Sequence, residues 1–208
     1  MGSTGCSGVM RAARFKHPPP LSYCVSAMEQ IPTALDGPVL IRPTVFSDPR
    51  GFFAETYRES DLAERFGIRD RFVQDNQSRS TYGVVRGMHY QPDPPVAKLV
   101  RCARGAILDV VVDIRPGSPT FGQWEGYRLD DEAMEILYVP AGVGHGFCVL
   151  SEVADVVYKQ TGYWAASNDK GFTPVDPEVG IEWPVADEDM VISDRDRSAP
   201  RLAELGLA

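Results

Sequence analysis

From Pro38 onward, short apolar runs recur at close intervals and are cut apart by Gly, Pro, Asp and Asn. Alternating runs bounded by turn residues are the mark of short antiparallel strands, and this spacing fits a sandwich or barrel rather than strand-helix-strand units. The pattern predicts strands over residues 39–46, 52–57, 83–90, 98–103, 106–114, 123–129, 135–139, 146–151 and 155–162. Turn chemistry separates them at Asp48-Pro49, Arg104-Gly105, Arg115 to Pro119, Asp130-Asp131 and Pro140-Ala141-Gly142. The class is therefore all-β. Only two short helices interrupt the pattern, both peripheral. Ser60 caps one through Leu62 and Phe66 with Gly67 as its stop, and Ser198 with Pro200 starts another through Leu202 and Leu205. The stretch 163–191, with Pro174, Pro177 and Pro184, is long for a structureless loop, so it is either a lid or coil packed around a site.

At 208 residues and 43% hydrophobic content the chain can bury a sizeable core, and one domain over 31–208 is the simplest arrangement. Residues 1–30 combine Gly, Ser, Ala, basic residues and the Pro18-Pro19-Pro20 run without the apolar core of a secretory signal. They read as a loose extension, although an arginine-containing, acid-poor leader is also the composition of a transit peptide. A net charge of -8 argues against a nucleic-acid binder, and the longest apolar runs are far too short to span a bilayer. Four irregularly spaced cysteines, Cys6, Cys24, Cys102 and Cys148, indicate neither a zinc ribbon nor a disulfide framework, which points to reduced thiols in the cytoplasm.

The chemistry is concentrated in GVVRGMHYQPDPPVAKLVR, residues 83–101. His89 is one of three histidines and titrates nearest neutrality, so it is the candidate base. Lys98 follows a Pro-Asp-Pro-Pro turn that folds the chain back and brings an ammonium towards His89. A base beside a cation is the equipment for making an enolate. Arg86 lies three residues before His89 and so faces the other side of a regular strand, unless Gly87 hosts a bulge. His145 stands between Gly144 and Gly146, whose small size would let a ligand approach its backbone. Only His89 and His145 fall in the strand region, too few for an open catalytic metal site, so no metal is expected. In ADVVYKQTGY, alternation puts Val156, Tyr158 and Gln160 on one face. Tyr158 is either a core residue or a proton donor that stays protonated at neutral pH. Trp164 is core or a plate for a base, and Asp194 and Asp196 in ISDRDR are solvated turn residues or partners for a histidine.

The motifs DPRGFFAETY, VQDNQSRS, GVVRGMHYQ, AKLVRCARG, SPTFGQW, VPAGVGHGF, VVYKQT and IEWP, in this order, closely resemble the dTDP-4-dehydrorhamnose 3,5-epimerase family from about Ile31 to Leu205. The resemblance implies a cupin-type jelly roll and a homodimer without metal or other cofactor. It also implies action on dTDP-4-dehydro-6-deoxy-D-glucose, inverted at carbons 3 and 5 on the way to dTDP-L-rhamnose. Carried over by motif, His89 is the base, Asp196 its carboxylate partner, Tyr158 the acid and Lys98 the group that polarises the keto oxygen. Binding positions fall on Arg50, Glu55, Gln74, Asp75, Asn76, Arg86 and His145, and by alignment of the neighbouring motifs on Asp169 and Arg195. The sequence departs from the family in three places: Trp164 replaces a tyrosine that stacks on thymine, Asp169 a glutamate, and Arg195 what is often a lysine. Relatives that invert one carbon only, a non-catalytic nucleotide-sugar-binding cupin and a metal-dependent cupin oxygenase are the competing expectations.

Overall fold

The computed structural model describes residues 28–207. The expected extension over 1–30, with His17, therefore lies outside the described residues except for its last three. Met28 is buried, and β1 (Glu29–Ile31) pairs with β2 (Val39–Arg42).

One sheet runs β1, β2, β10 (Ile136–Val139), β7 (Lys98–Arg104), β12 (Val153–Gln160) and β5 (Gln74–Thr81). The facing sheet runs β13 (Lys170–Gly171), β6 (Val84–Tyr90), β11 (Val143–Val149), β8 (Ala106–Asp113) and β9 (Trp124–Asp130), and β14 (Val191–Ile192) pairs parallel with β6. A hairpin of β3 (Val45–Asp48) and β4 (Gly51–Ala54) stands apart from both. Two such facing sheets make a cupin-type jelly roll.

Burial explains the residue pattern. On β8, Ile107 and Val111 point between the sheets and meet Val100, Leu129, Leu137 and Phe147, whereas Val110 and Val112 point outward onto Phe172, Val179 and Leu202. A strand covered on both faces is apolar throughout, which is why 106–114 reads as a nearly continuous run. The cover comes from the irregular C-terminal stretch, which is packed coil rather than a lid: Phe172 is fully buried, and Val179 and Val185 nearly so.

Three expectations are corrected. The strand predicted over 39–46 ends at Arg42, and Phe46 belongs to the hairpin. Ser60 lies inside α1 (Glu59–Arg65), which starts after Arg58, although Gly67 does take the left-handed conformation just beyond it. Ser198 ends α2 (Asp194–Arg197) rather than starting a helix, and the next turn, Leu202–Leu205, is a 3-10 helix that follows Arg201.

Candidate active site

At one end of the sandwich the two sheets part around a cavity of about 520 Å³. Its walls include Arg86, His89, Lys98, His145, Tyr158, Trp164, Asp169 and Asp196. Both sheets contribute: β6 and β11 carry Arg86, His89 and His145, and β7 and β12 carry Lys98 and Tyr158.

Arg86 and His89 share the cavity because β6 holds one residue more than its partner. His89 pairs with His145 and Arg86 with Phe147, so three steps along β6 match two along β11. The bulge falls at Gly87, whose φ is 137° and where a Cβ would stand 2.6 Å from Gly146 Cα. Only glycine meets both conditions.

The edge of β6 away from β11 is covered by β13 at its end and by β14 at its start, and β14 leads directly into α2. Ser193 caps that helix by accepting a hydrogen bond from Asp196 N. The buried Asp196 then reaches His89, with Oδ1 2.8 Å from Nε2. A carboxylate only accepts, so Nε2 carries the hydrogen and Nδ1 is the basic nitrogen. Burial alone would raise the pKa of Asp196, but the hydrogen bond and charge of His89, with Gly87 N–H and Ser193, hold it below its ordinary value. Asp196 is thus a seated partner, not a solvated turn residue. Asp194 does not line the cavity.

A second imidazole and carboxylate face the lysine. His145 Nε2 lies 3.0 Å from both oxygens of Asp109, which is completely buried, and its Nδ1 lies 3.4 Å from Lys98 Nζ. The carboxylate fixes the hydrogen on Nε2 and leaves Nδ1 to accept from the ammonium. Burial lowers the pKa of His145, which keeps it neutral, and lowers that of Lys98 to about 8 against the opposing charges of Asp109 and Asp169. For Tyr158, burial and the charge of Asp169 outweigh Arg86 and raise the pKa, so the phenol holds its proton.

Asp109 is not among the candidates singled out from the sequence, where it stands within the apolar stretch 106–114. A charge inside a strand buried on both faces has to be paired, and that was the available signal. The glycines beside His145 serve packing rather than ligand approach: a Cβ on Gly144 would meet Phe172 at 2.8 Å, and one on Gly146 would meet Met88 Sδ at 2.6 Å.

The remaining expected binding residues divide. Gln74 and Asn76 lie on the face of β5 that carries the cavity residue Ser78; they bond to each other, and Asn76 Nδ2 has no hydrogen-bond partner. Gln74 Oε1 also accepts from Trp164 N, which seats the exposed indole at the rim. Asp75 points to the opposite face and pairs with Lys159 at 2.8 Å. Arg195 donates to Asp169 at 2.7 Å and lines a smaller cavity behind the His89 strand. Arg50 and Glu55 do not reach the cavity; they pair with Asp48 and Arg58. Among the described residues no three His, Cys, Asp or Glu side chains gather as a metal-ligand set.

The family model for dTDP-4-dehydrorhamnose 3,5-epimerase matches residues 32–204. The chain belongs to the dTDP-4-dehydrorhamnose 3,5-epimerase family. It is 45% identical over 175 residues to the 3,5-epimerase of Methanothermobacter thermautotrophicus, covering 84% of this chain and 94% of that protein. It is 44% identical over 174 residues to a dTDP-4-dehydrorhamnose 3-epimerase of Streptomyces niveus, covering 83% of each. Its fold is similar to the crystal structure of dTDP-6-deoxy-D-glucose-3,5-epimerase from Legionella pneumophila in complex with dTDP-4-keto-L-rhamnose, with a TM-score of 0.82 and 44% identity over 85% of this chain and 94% of that one. In this epimerase-family chain, the motifs VQDNQSRS, GVVRGMHYQ, AKLVRCARG, VPAGVGHGF and VVYKQT each contribute residues to the cavity, whereas the hairpin motif, SPTFGQW and IEWP do not.

Proposed function

We propose that the chain epimerises dTDP-4-dehydro-6-deoxy-D-glucose at carbons 3 and 5, giving dTDP-4-dehydro-L-rhamnose. The keto group at carbon 4 acidifies the hydrogens on both neighbours. Nδ1 of His89 removes one of them, and the imidazolium that forms is stabilised by Asp196. Lys98, held by His145, donates to the developing oxyanion; preorganised donors of this kind are usually the largest catalytic contribution. Tyr158 returns a proton from the other face, and the centre inverts. The observation that carries the reading is the lining of one cavity by an imidazole on one sheet, paired with a carboxylate of α2, and by a phenol and an ammonium on the other sheet. Arg86, Gln74, Asn76, Trp164 and Asp169 are assigned to the nucleotide end.

Incubation of the protein with this sugar nucleotide in deuterium oxide with a coupled reductase tests the proposal. Deuterium at carbons 3 and 5 and formation of the L-sugar are expected, and absence of exchange by the native enzyme would overturn it. Exchange at carbon 3 alone would assign the chain to the single-carbon reaction named for its Streptomyces niveus relative.

We further place the enzyme in the cytoplasm as a homodimer. The hairpin of β3 and β4 exposes Phe46, Phe52 and Phe53, and holds Arg50 and, just beyond it, Glu55 away from the chain's own cavity. Docking on a second copy would cover those rings and bring Arg50 and Glu55 to a binding site. Sedimentation of the native chain and of Phe52→Ser/Phe53→Ser checks this: a native monomer, or an unchanged dimer in the variant, would count against it.

A further inference from the structure

Ser80, on β5, is a buried polar residue to which the mechanism gives no part. It is 7% exposed, it does not line the cavity, and its Oγ accepts a hydrogen bond of 3.1 Å from Nε of Arg86, which does. The bond spans the corner at which the chain passes from one sheet to the other. β5 ends at Thr81 and β6 starts at Val84, so Tyr82 and Gly83 alone make the crossing. Backbone bonds fix both: Tyr82 N donates to Glu152 O, Gly83 N donates to Val149 O, and Gly83 O accepts from Val191 N. Gly83 has a φ of 78°, and a Cβ on it would stand 2.3 Å from Asp189 O, so this corner needs glycine. Ser80 and Arg86 are thereby held facing each other, and their bond ties the two sheets together beside the cavity.

Arg86 itself is open to a ligand: it is exposed and forms part of the cavity wall. Among the described residues, neither of its terminal nitrogens has a hydrogen-bond or ion-pair partner. A guanidinium is a rigid planar fork, so fixing Nε fixes the direction of the remaining donors. The two terminal nitrogens are left for an anion, and phosphate oxygens match that pair in charge and spacing.

We propose that Ser80 is a positioning residue for Arg86, holding the guanidinium in the orientation that meets the diphosphate of the sugar nucleotide. The inference rests on the function proposed above, with Arg86 at the nucleotide end. Without the serine oxygen the long side chain turns freely in water, and every binding event has to order it again. The diphosphate takes no part in the proton transfers, so the loss falls equally on ground state and transition state and appears in KM rather than kcat.

The test is a double-mutant cycle read by calorimetric titration with dTDP. Ser80→Ala should weaken dTDP binding by about 3- to 10-fold, the cost of ordering one long side chain, and raise KM for the sugar nucleotide by the same factor. In Arg86→Ala, where no guanidinium is left to position, adding Ser80→Ala should have no further effect. Equal losses in both backgrounds would show that Ser80 acts through packing and would overturn the proposal. Unchanged dTDP affinity in a folded Ser80→Ala, or a fall in kcat with KM unmoved, would overturn it as well. Failure of the native enzyme to bind dTDP would instead remove the function on which the proposal rests.

Discussion

The protonation of Lys98 makes a prediction that can be worked through. Burial lowers its pKa to about 8, so at pH 7 about nine in ten molecules carry the ammonium and at pH 9 about one in ten. If the oxyanion leans on that charge, kcat/KM falls on the alkaline side with a midpoint near pH 8, and by about tenfold per pH unit beyond it. Tyr158 does not supply this limb, because its pKa is raised from the ordinary phenol value. Asp109 raises the lysine's pKa, as does Asp169, while His145 is neutral, so Asp109→Asn moves the limb to lower pH. Lys98→Met removes the limb and about 10²–10³ of the rate, the usual loss for one oxyanion donor. Lys98→Arg keeps a cation that does not titrate, and whatever activity it retains should run flat through pH 9. The assay is solvent deuterium incorporation from pH 6 to 10 under kcat/KM conditions. A flat native profile, or an alkaline limb that survives in Lys98→Met, would refute the assignment.

Tyr158→Phe should continue to exchange substrate hydrogen with deuterium oxide through His89 but should form little inverted sugar; retention of normal inversion would remove the tyrosine from its role. Gly87→Ala forces a Cβ to within 2.6 Å of Gly146 Cα at a φ of 137°, so it should cost about 1–3 kcal/mol in denaturant melts and lower activity by separating Arg86 from His89. Asp113 is buried among Arg115, Ser118 and Thr120, and their hydrogen bonds outweigh burial to hold its pKa well below the ordinary carboxylate range. Its contribution is therefore complete above about pH 4 and lost as the pH falls towards the depressed value. Asp113→Asn should cost about 1.5–3 kcal/mol at pH 7 and flatten the acid side of the stability profile, as read by chemical denaturation from pH 2 to 7.

The strands that carry the core were legible in the sequence because their inward positions are apolar. Those over 83–90, 98–103, 106–114 and 155–162 all begin or end within two residues of the prediction. β5 was not legible, for a physical reason: its inward residues Gln74, Asn76, Ser78 and Ser80 face the polar end of the sandwich, so QDNQSRST has no alternation of apolar and polar positions. The same holds for the site. Val156, Tyr158 and Gln160 could be placed on one face by period alone, and a bulge at Gly87 could be anticipated from the chemistry of glycine. Asp196 could not be placed beside His89 by any local rule, because the two are brought together by β14 pairing with β6 across more than a hundred residues. The motif resemblance supplied that pairing, and the sheet topology supplies its cause.

The topology also accounts for how the proposed inverting site is built. Inversion requires a base and an acid on opposite sides of a planar enolate, held apart by roughly the thickness of a sugar ring. The one face that a single sheet turns towards a ligand lies on one side of that ligand, so it cannot supply both. Two facing sheets can, provided that their packing opens at one end. Here Val100, Val156, Ile107 and Phe147 close the middle of the sandwich, and further along those same strands or their neighbours the inward positions change to Lys98, Tyr158, Asp109 and His145. The alternation that buries the core therefore continues into the cavity and brings Lys98, Tyr158 and His145 to its wall, with Asp109 buried behind His145. His89 on β6 and Tyr158 on β12, the proposed base and acid, stand on strands of different sheets, and Lys98 on β7 lies on the sheet of Tyr158 because β7 pairs with β12.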